Sequence, residues 1–114
     1  VNLMVSDWLG KKESEEISQS DGTRIVLFAA RWCGYCDRFL KTVESFKASD
    51  QIQLYLVDSD DPDESLWDIH KIRLVPTLVV FRSGRELFRR DGISGVGLRS
   101  KDLDDAIAFL AKSA

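Results

Sequence analysis

The sequence predicts an α/β domain, and three observations carry that reading. Two apolar runs of strand-forming residues are each followed by a stretch with helical periodicity. A later pair of runs is joined across Ser83-Gly84, and two cysteines, Cys33 and Cys36, stand where the first run gives way to its helix. Strand, helix, strand, helix implies parallel pairing, because parallel neighbours need a crossover that a helix supplies. The later runs add an antiparallel hairpin, which makes the sheet mixed.

Residues 5–19 set Trp8, Leu9 and Ile17 among Lys, Glu and Ser, and read as a mostly solvated helix ending near Asp21-Gly22. Arg24 to Ala30 is apolar after its first residue, as expected of a central strand covered on both faces. From Gly34 to about Ser49, apolar side chains at Cys36, Phe39, Leu40, Val43 and Phe46 fall three and four apart, which gives a helix one buried face. Ile52 to Val57 is a second buried strand, and Asp61-Pro62 supplies a capping acid and a first-turn proline for a helix through Ile69. After Pro76, Thr77 to Phe81 and Glu86 to Arg90 flank the Ser83-Gly84 turn as a hairpin with Gly84 at its tip. Ser100 is placed to cap a last helix that buries Leu103, Ile107 and Leu110, with Asp102, Asp104 and Asp105 near its positive end.

A chain of 114 residues with 44% apolar content fits one core. A single domain over residues 1–114 is expected, with 1–22 as an N-terminal helical extension and 23–114 as the core. The 16 basic and 19 acidic side chains leave a net charge of -3, which offers nucleic acid and anionic membranes no general attraction. The charge is unevenly spread. Asp58 to Asp68 holds six acids and no base, whereas Lys71 to Arg90 holds Lys71, Arg73, Arg82, Arg85, Arg89 and Arg90 against Glu86 alone. Separate acidic and basic surfaces are expected. No stretch approaches the length of apolar sequence that a membrane span needs. Val1 is not an initiator Met, which leaves room for a leader or anchor ahead of it.

Two cysteines exclude a scaffold built on several disulfides, and their Cys-x-x-Cys spacing points to chemistry instead. On spacing alone the pair reads either as a redox dithiol or as half of a zinc site. With His70 the only histidine, a zinc site would need carboxylates or a second chain to complete four ligands.

The order of elements from Arg24 onward, together with four motifs, resembles the thioredoxin family. The motifs are Phe28-Ala29-Ala30-Arg31-Trp32-Cys33-Gly34-Tyr35-Cys36, Val75-Pro76-Thr77, Phe81-Arg82-Ser83-Gly84, and Gly92 after the hairpin. The resemblance implies a thioredoxin-like fold, a central mixed β-sheet flanked by helices on both faces. It also implies a thiol-disulfide oxidoreductase whose first cysteine attacks and whose second resolves, which assigns Cys33 and Cys36 as the catalytic pair. The placement suits that chemistry, since free N–H groups and the dipole at a helix N-terminus stabilise a thiolate. Cys36, one turn further on, should be the more buried and less acidic thiol, within reach of a mixed disulfide on Cys33. The family's matching proline faces the cysteines through a cis bond, so Val75-Pro76 is expected to be cis, with the Val75 backbone open to a substrate strand. Trp32, Gly34, Tyr35, Val75, Pro76, Thr77 and Gly92 are the expected substrate-binding residues, Trp32 as an exposed lip.

The chain departs from the family in several places. Gly34-Tyr35 stands where thioredoxins proper carry Gly-Pro, glutaredoxin-like sites Pro-Tyr and disulfide isomerases Gly-His. Tyr35 brings neither positive charge nor proline's rigidity, so a strongly oxidising site is not inferred. The family's buried Asp is matched by Leu27 and its lysine partner by Leu54, leaving Cys36 without an evident internal base, and Lys41 replaces the kink proline of the active-site helix.

The expected function is reduction of protein disulfides, with no cofactor and no metal. Disulfide-containing proteins are the expected substrates and a reductase such as thioredoxin reductase the electron donor. Neither a nucleic-acid partner nor a membrane span is expected, and the chain is read as a cytoplasmic monomer. A periplasmic or other exported compartment is the alternative should a leader have been removed. The alternatives in function are a disulfide oxidant or isomerase, and a non-catalytic binding module. His70, Trp8 and Trp67 read as packing or solvated residues, and the acidic run as a solvated loop and helix start. Arg31, Arg38 and Arg73 should lie near the active face, either as solubilising charges or to steer an acidic partner.

Overall fold

The computed structural model describes residues 3–47, 51–60 and 65–113. In chain order these form β1 (Met4–Val5), α1 (Lys11–Gln19), β2 (Arg24–Ala29), α2 (Gly34–Ser45), β3 (Gln53–Asp58), α3 (Ser65–Ile69), β4 (Thr77–Arg82), β5 (Arg85–Asp91) and α4 (Ser100–Ser113). The sheet has the order β1-β3-β2-β4-β5. Both β1 and β2 run parallel to β3, whereas β4 is antiparallel to β2 and to β5, so the sheet is mixed.

β2 is central because it is apolar on both sides of its pleat. Val26 and Leu27 are flanked by β3 and β4 alike, with Leu27 facing Leu56 on one side and Leu78 on the other. On one sheet face Phe28 and Phe81 meet the ring of His70, just past α3. On the opposite face Phe88, the β5 partner of Val80, lies against Phe109 of α4. Alternation along a strand sends neighbouring residues to opposite faces, so helices cover both and the core has two layers. α2 packs beside α4, and Cys36, Phe39 and Val43 form its buried stripe.

The amino-terminal region departs from the expected single helix over 5–19. Met4–Val5 pairs with Gln53–Leu54, and Leu9 bridges Val57. Without these residues β3 would end the sheet with unpaired carbonyls. Instead Ile52, Leu54 and Leu56 accept from the backbone N–H groups of Met4, Ser6 and Leu9 at 2.8, 3.0 and 2.9 Å. That gain outweighs any helical preference of residues 5–10. The helix begins only after Gly10, whose N–H donates to the Glu13 carboxylate at 3.1 Å. The first 22 residues therefore bring a sheet strand as well as a helix.

Other boundaries shift slightly. α2 closes at Ser45 with Phe46 as its cap, and β3 extends to Asp58. The expected capping pair Asp61-Pro62 lies outside the described residues. Ser100 falls within α4 rather than capping it. The capping contact comes from the Asp102 carboxylate, which accepts from the Arg99 N–H at 2.8 Å. The hairpin turns on Ser83 and Gly84 at φ 50 and 80, the left-handed pair that matches strand twist. Among the described residues no helix is long and apolar enough to cross a membrane.

Candidate active site

The end of β2 and the start of α2 create the site. Ala29 closes the strand, Ala30 to Trp32 make the turn, and Cys33 caps the helix with extended backbone angles, φ -91 and ψ 116. Its Sγ accepts a hydrogen bond from the Cys36 N–H at 3.2 Å, taking up one of the unpaired donors of the first turn. Both cysteines are free thiols. Cys33 is 5% exposed and Cys36 is fully buried. Burial pushes the Cys36 thiol well above its ordinary pKa, and the hydrogen bond to Cys33 and the nearby negative charge of Cys33 and Asp37 raise it further.

The second wall is the loop before β4. The Val75-Pro76 bond is cis, as expected, and the Cys33 thiol points at the Val75 carbonyl, 3.6 Å away. Gly92, just past β5, lies against this loop so closely that a Cβ there would sit 2.7 Å from the Pro76 carbonyl oxygen. Only glycine allows that approach. Thr77 is fully buried beneath the loop, and its hydroxyl donates to the Leu74 carbonyl at 2.7 Å, which holds the loop from below.

Trp32 stands out as 66% exposed, and Tyr35 and Ile93 are exposed as well, so apolar surface surrounds the thiol opening. A side chain at Gly34 would meet nothing within 4 Å. Among the sequence-selected residues, Cys33, Cys36, Val75, Pro76 and Gly92 come together directly, with Trp32, Gly34 and Tyr35 on the helix side. Leu27 and Leu54 are both fully buried, and the partner facing Leu27 on β3 is Leu56.

Sequence reasoning missed three supports. Gly97, at φ 78, leaves room for Tyr35, whose Cβ would lie 3.0 Å from a Cβ at that position. Arg38 donates to the Val96 carbonyl at 2.8 Å and sets its guanidinium 5.0 Å from the Tyr35 ring. Arg89 bonds the carbonyls of His70 and Lys71, tying the loop before Pro76 to β5. Gly97 had no local signal, Arg38 was expected near the active face but not as the support of Tyr35 and Val96, and Arg89 was foreshadowed only by the basic run 71–90. Arg31 is engaged with Asp58 at 3.0 Å and lies 4.9 Å from the Trp8 ring. Trp67 donates to the Ser59 carbonyl at 2.8 Å, a packing role. His70 packs between two phenylalanine rings, away from the thiols.

The family model described as Thioredoxin matches residues 9–108, which takes in every element from α1 to α3 and both strands of the hairpin. This chain belongs to the thioredoxin family. Thioredoxin-1 of Drosophila melanogaster is 37% identical over 102 residues, 87% of this chain and 90% of the fly protein. A bifunctional thioredoxin reductase/thioredoxin of Mycobacterium leprae is 25% identical over 96 residues, 83% of this chain but only 21% of that longer protein. Among solved structures, Fasciola hepatica thioredoxin superposes with a TM-score of 0.68 at 21% identity, covering 96% of this chain and 98% of that one, a likeness of fold. As a thioredoxin-family member the chain is a thiol-disulfide oxidoreductase.

Proposed function

We propose that this thioredoxin-family chain is a reductase of protein disulfides, with Cys33 as nucleophile and Cys36 as resolving thiol. One observation carries the reading: the Cys33 sulfur is held between a helix N-terminus, by the Cys36 N–H at 3.2 Å, and a backbone carbonyl at Val75 3.6 Å away. The first contact favours the thiolate, and the second lies where an extended substrate would pair. The Cys33 thiolate attacks one substrate sulfur, the substrate S–S bond breaks, and a thiolate leaves. Cys36, once deprotonated, attacks the Cys33 sulfur, forms the Cys33–Cys36 disulfide and frees the second substrate thiol. Two electrons have then passed from the chain to the substrate.

A thioredoxin reductase returns those electrons. The M. leprae relative, named for both activities on one polypeptide, supports that partner. Trp32, Gly34, Tyr35, Val75, Pro76, Thr77 and Gly92 form the docking face, with Thr77 acting from beneath. The chain works as a single-domain monomer in the cytoplasm and needs no bound cofactor.

Two measurements test this. In a coupled assay with thioredoxin reductase, Cys33→Ser should abolish disulfide reduction, and Cys36→Ser should accumulate a mixed disulfide visible by mass spectrometry. A redox titration should place the pair near the thioredoxin value of about -270 mV. A potential above roughly -180 mV, with no turnover by the reductase, would make the chain an oxidant or isomerase instead.

A further inference from the structure

Beside the docking loop lies a cleft of ≈ 460 Å³, lined by Lys71, Arg73, Leu74, Arg89, Asp91 and Gly92, which the thiol chemistry does not use. Gly92 is shared between this cleft and the Pro76 contact, so a strand paired at Val75 would run past its mouth. The charges lining it are not equivalent. Arg89 is saturated, because it holds Glu86 at 3.0 Å, Asp91 at 2.8 Å and the carbonyls of His70 and Lys71. Its single charge is shared between Glu86, near the start of β5, and Asp91 at its end, so the excess positive charge of the cleft lining comes from Lys71 and Arg73. Lys71 and Arg73 form no ion pair with any described residue, and both are exposed. Lys71 also has a left-handed backbone, φ 51, fixed by its carbonyl's bond to Arg89. The loop that presents the two cations is thus held in one shape. Leu74, 40% exposed between them and Val75, offers apolar contact to the stem of an incoming side chain.

We propose that this cleft is a specificity subsite that selects protein disulfides with an Asp or Glu close to the reactive cysteine, its carboxylate held by Lys71 and Arg73. The chain carries a net charge of -3, so the preference comes from local charge and opposes the repulsion an acidic partner would meet elsewhere. Residues two apart on an extended substrate are about 7 Å apart and share a face, so one side chain enters the cleft while the disulfide sits at Cys33. The proposal rests on the reductase reading above.

The test uses the full chain and disulfide peptides that differ only in the residues flanking cysteine: Asp or Glu, Asn or Gln, and Lys. Wild type should reduce the acidic peptide with a kcat/KM about tenfold above the neutral one at low ionic strength, and the preference should shrink in high salt. In Lys71→Glu/Arg73→Glu the order of acidic and basic peptides should invert. The ratio is read within each protein, so an overall loss of activity cancels. Equal kcat/KM for all peptides in wild type would overturn the subsite. If hydroxyethyl disulfide, which is uncharged, is still reduced in that case, the reductase reading stands. Failure to reduce any disulfide would remove both.

Discussion

Gly92→Ala offers a sharp test of how the two halves of the site are held together. The added methyl would lie 2.7 Å from the Pro76 carbonyl oxygen, against ordinary contact from 3.4 Å, so about 0.7 Å must be found by moving backbone rather than a flexible side chain. Overpacking of this kind costs about 1–3 kcal/mol, while replacing glycine gains up to about 1 kcal/mol through the unfolded chain. The net loss is then about 1–2 kcal/mol, or roughly 4–10 °C in Tm for a domain of this size. Function should suffer more than stability. The Pro76 loop carries the Val75 carbonyl that sits 3.6 Å from the Cys33 sulfur, and a displacement approaching 1 Å in a reacting assembly costs about 100-fold. Thermal unfolding followed by circular dichroism, together with kcat/KM in the reductase-coupled assay, reads both effects. For Tm alone, Gly34→Ala is the control, since nothing lies within 4 Å of its Cβ and it opens α2, where alanine is the better helix former by about 1 kcal/mol. If Gly92→Ala kept wild-type Tm and kcat/KM, the contact with Pro76 would have no part in placing the loop.

Iodoacetamide should modify Cys33 before Cys36, which is fully buried, and mass spectrometry of partly labelled protein would reverse the assigned roles if Cys36 came first. Burial holds the His70 imidazole below its ordinary pKa of 6.5, with Arg89 adding to the effect and Glu86 and Glu15 opposing it. Below about pH 6.5 the unfolded chain therefore takes up a proton that the folded one refuses, and stability falls as pH drops. Urea unfolding across that range should show a shallower decline in His70→Phe, whose ring suits the slot between Phe28 and Phe81, and identical declines would put the acid sensitivity elsewhere. Because Cys36 is held above the ordinary thiol pKa, resolution of a mixed disulfide should slow as pH falls between about pH 9 and pH 6. Leu27→Asp should flatten that profile at a cost of roughly 2–4 kcal/mol for a buried polar group. A wild-type profile that is already flat and unchanged in the variant would show that proton removal from Cys36 never limits the reaction.

The parts of this molecule that were legible in its sequence are those where local pattern and tertiary need agree. β2 is apolar on both sides of its pleat and can only be central. The stripe through Cys36, Phe39 and Val43 has one helical reading, and Val75-Pro76-Thr77 marks a loop by chemistry rather than periodicity. β1 was not legible, since two residues carry no period and their pairing is decided by the open edge of β3 nearly fifty residues away. The same holds within the site. Cys33 and Cys36 announce themselves by spacing, but the Arg89 ties to His70 and Lys71 and its ion pair with Asp91 depend on hairpin register, shifted between Val80 and Phe81. His70, at the end of a helix, read as either packing or solvated, and the choice fell to packing because two phenylalanines from different strands close over it.

The short strand at the amino terminus has a consequence for how the molecule behaves among its own kind. A sheet edge of unpaired amides is a template on which another chain can add and begin to aggregate. Here one edge is cut down to the two-residue strand Met4–Val5, with residues 4–9 occupying acceptors of β3, and the other is β5, an outer strand rich in Arg, Glu and Asp and irregular in register. Charge and a bulge both discourage a visiting strand. The backbone at Val75 lies outside the ladder, so in the proposed function an extended substrate pairs there, beside Cys33, and not on a sheet edge. A colloidal safeguard at the β3 side of the sheet thus comes from two residues, Met4 and Val5.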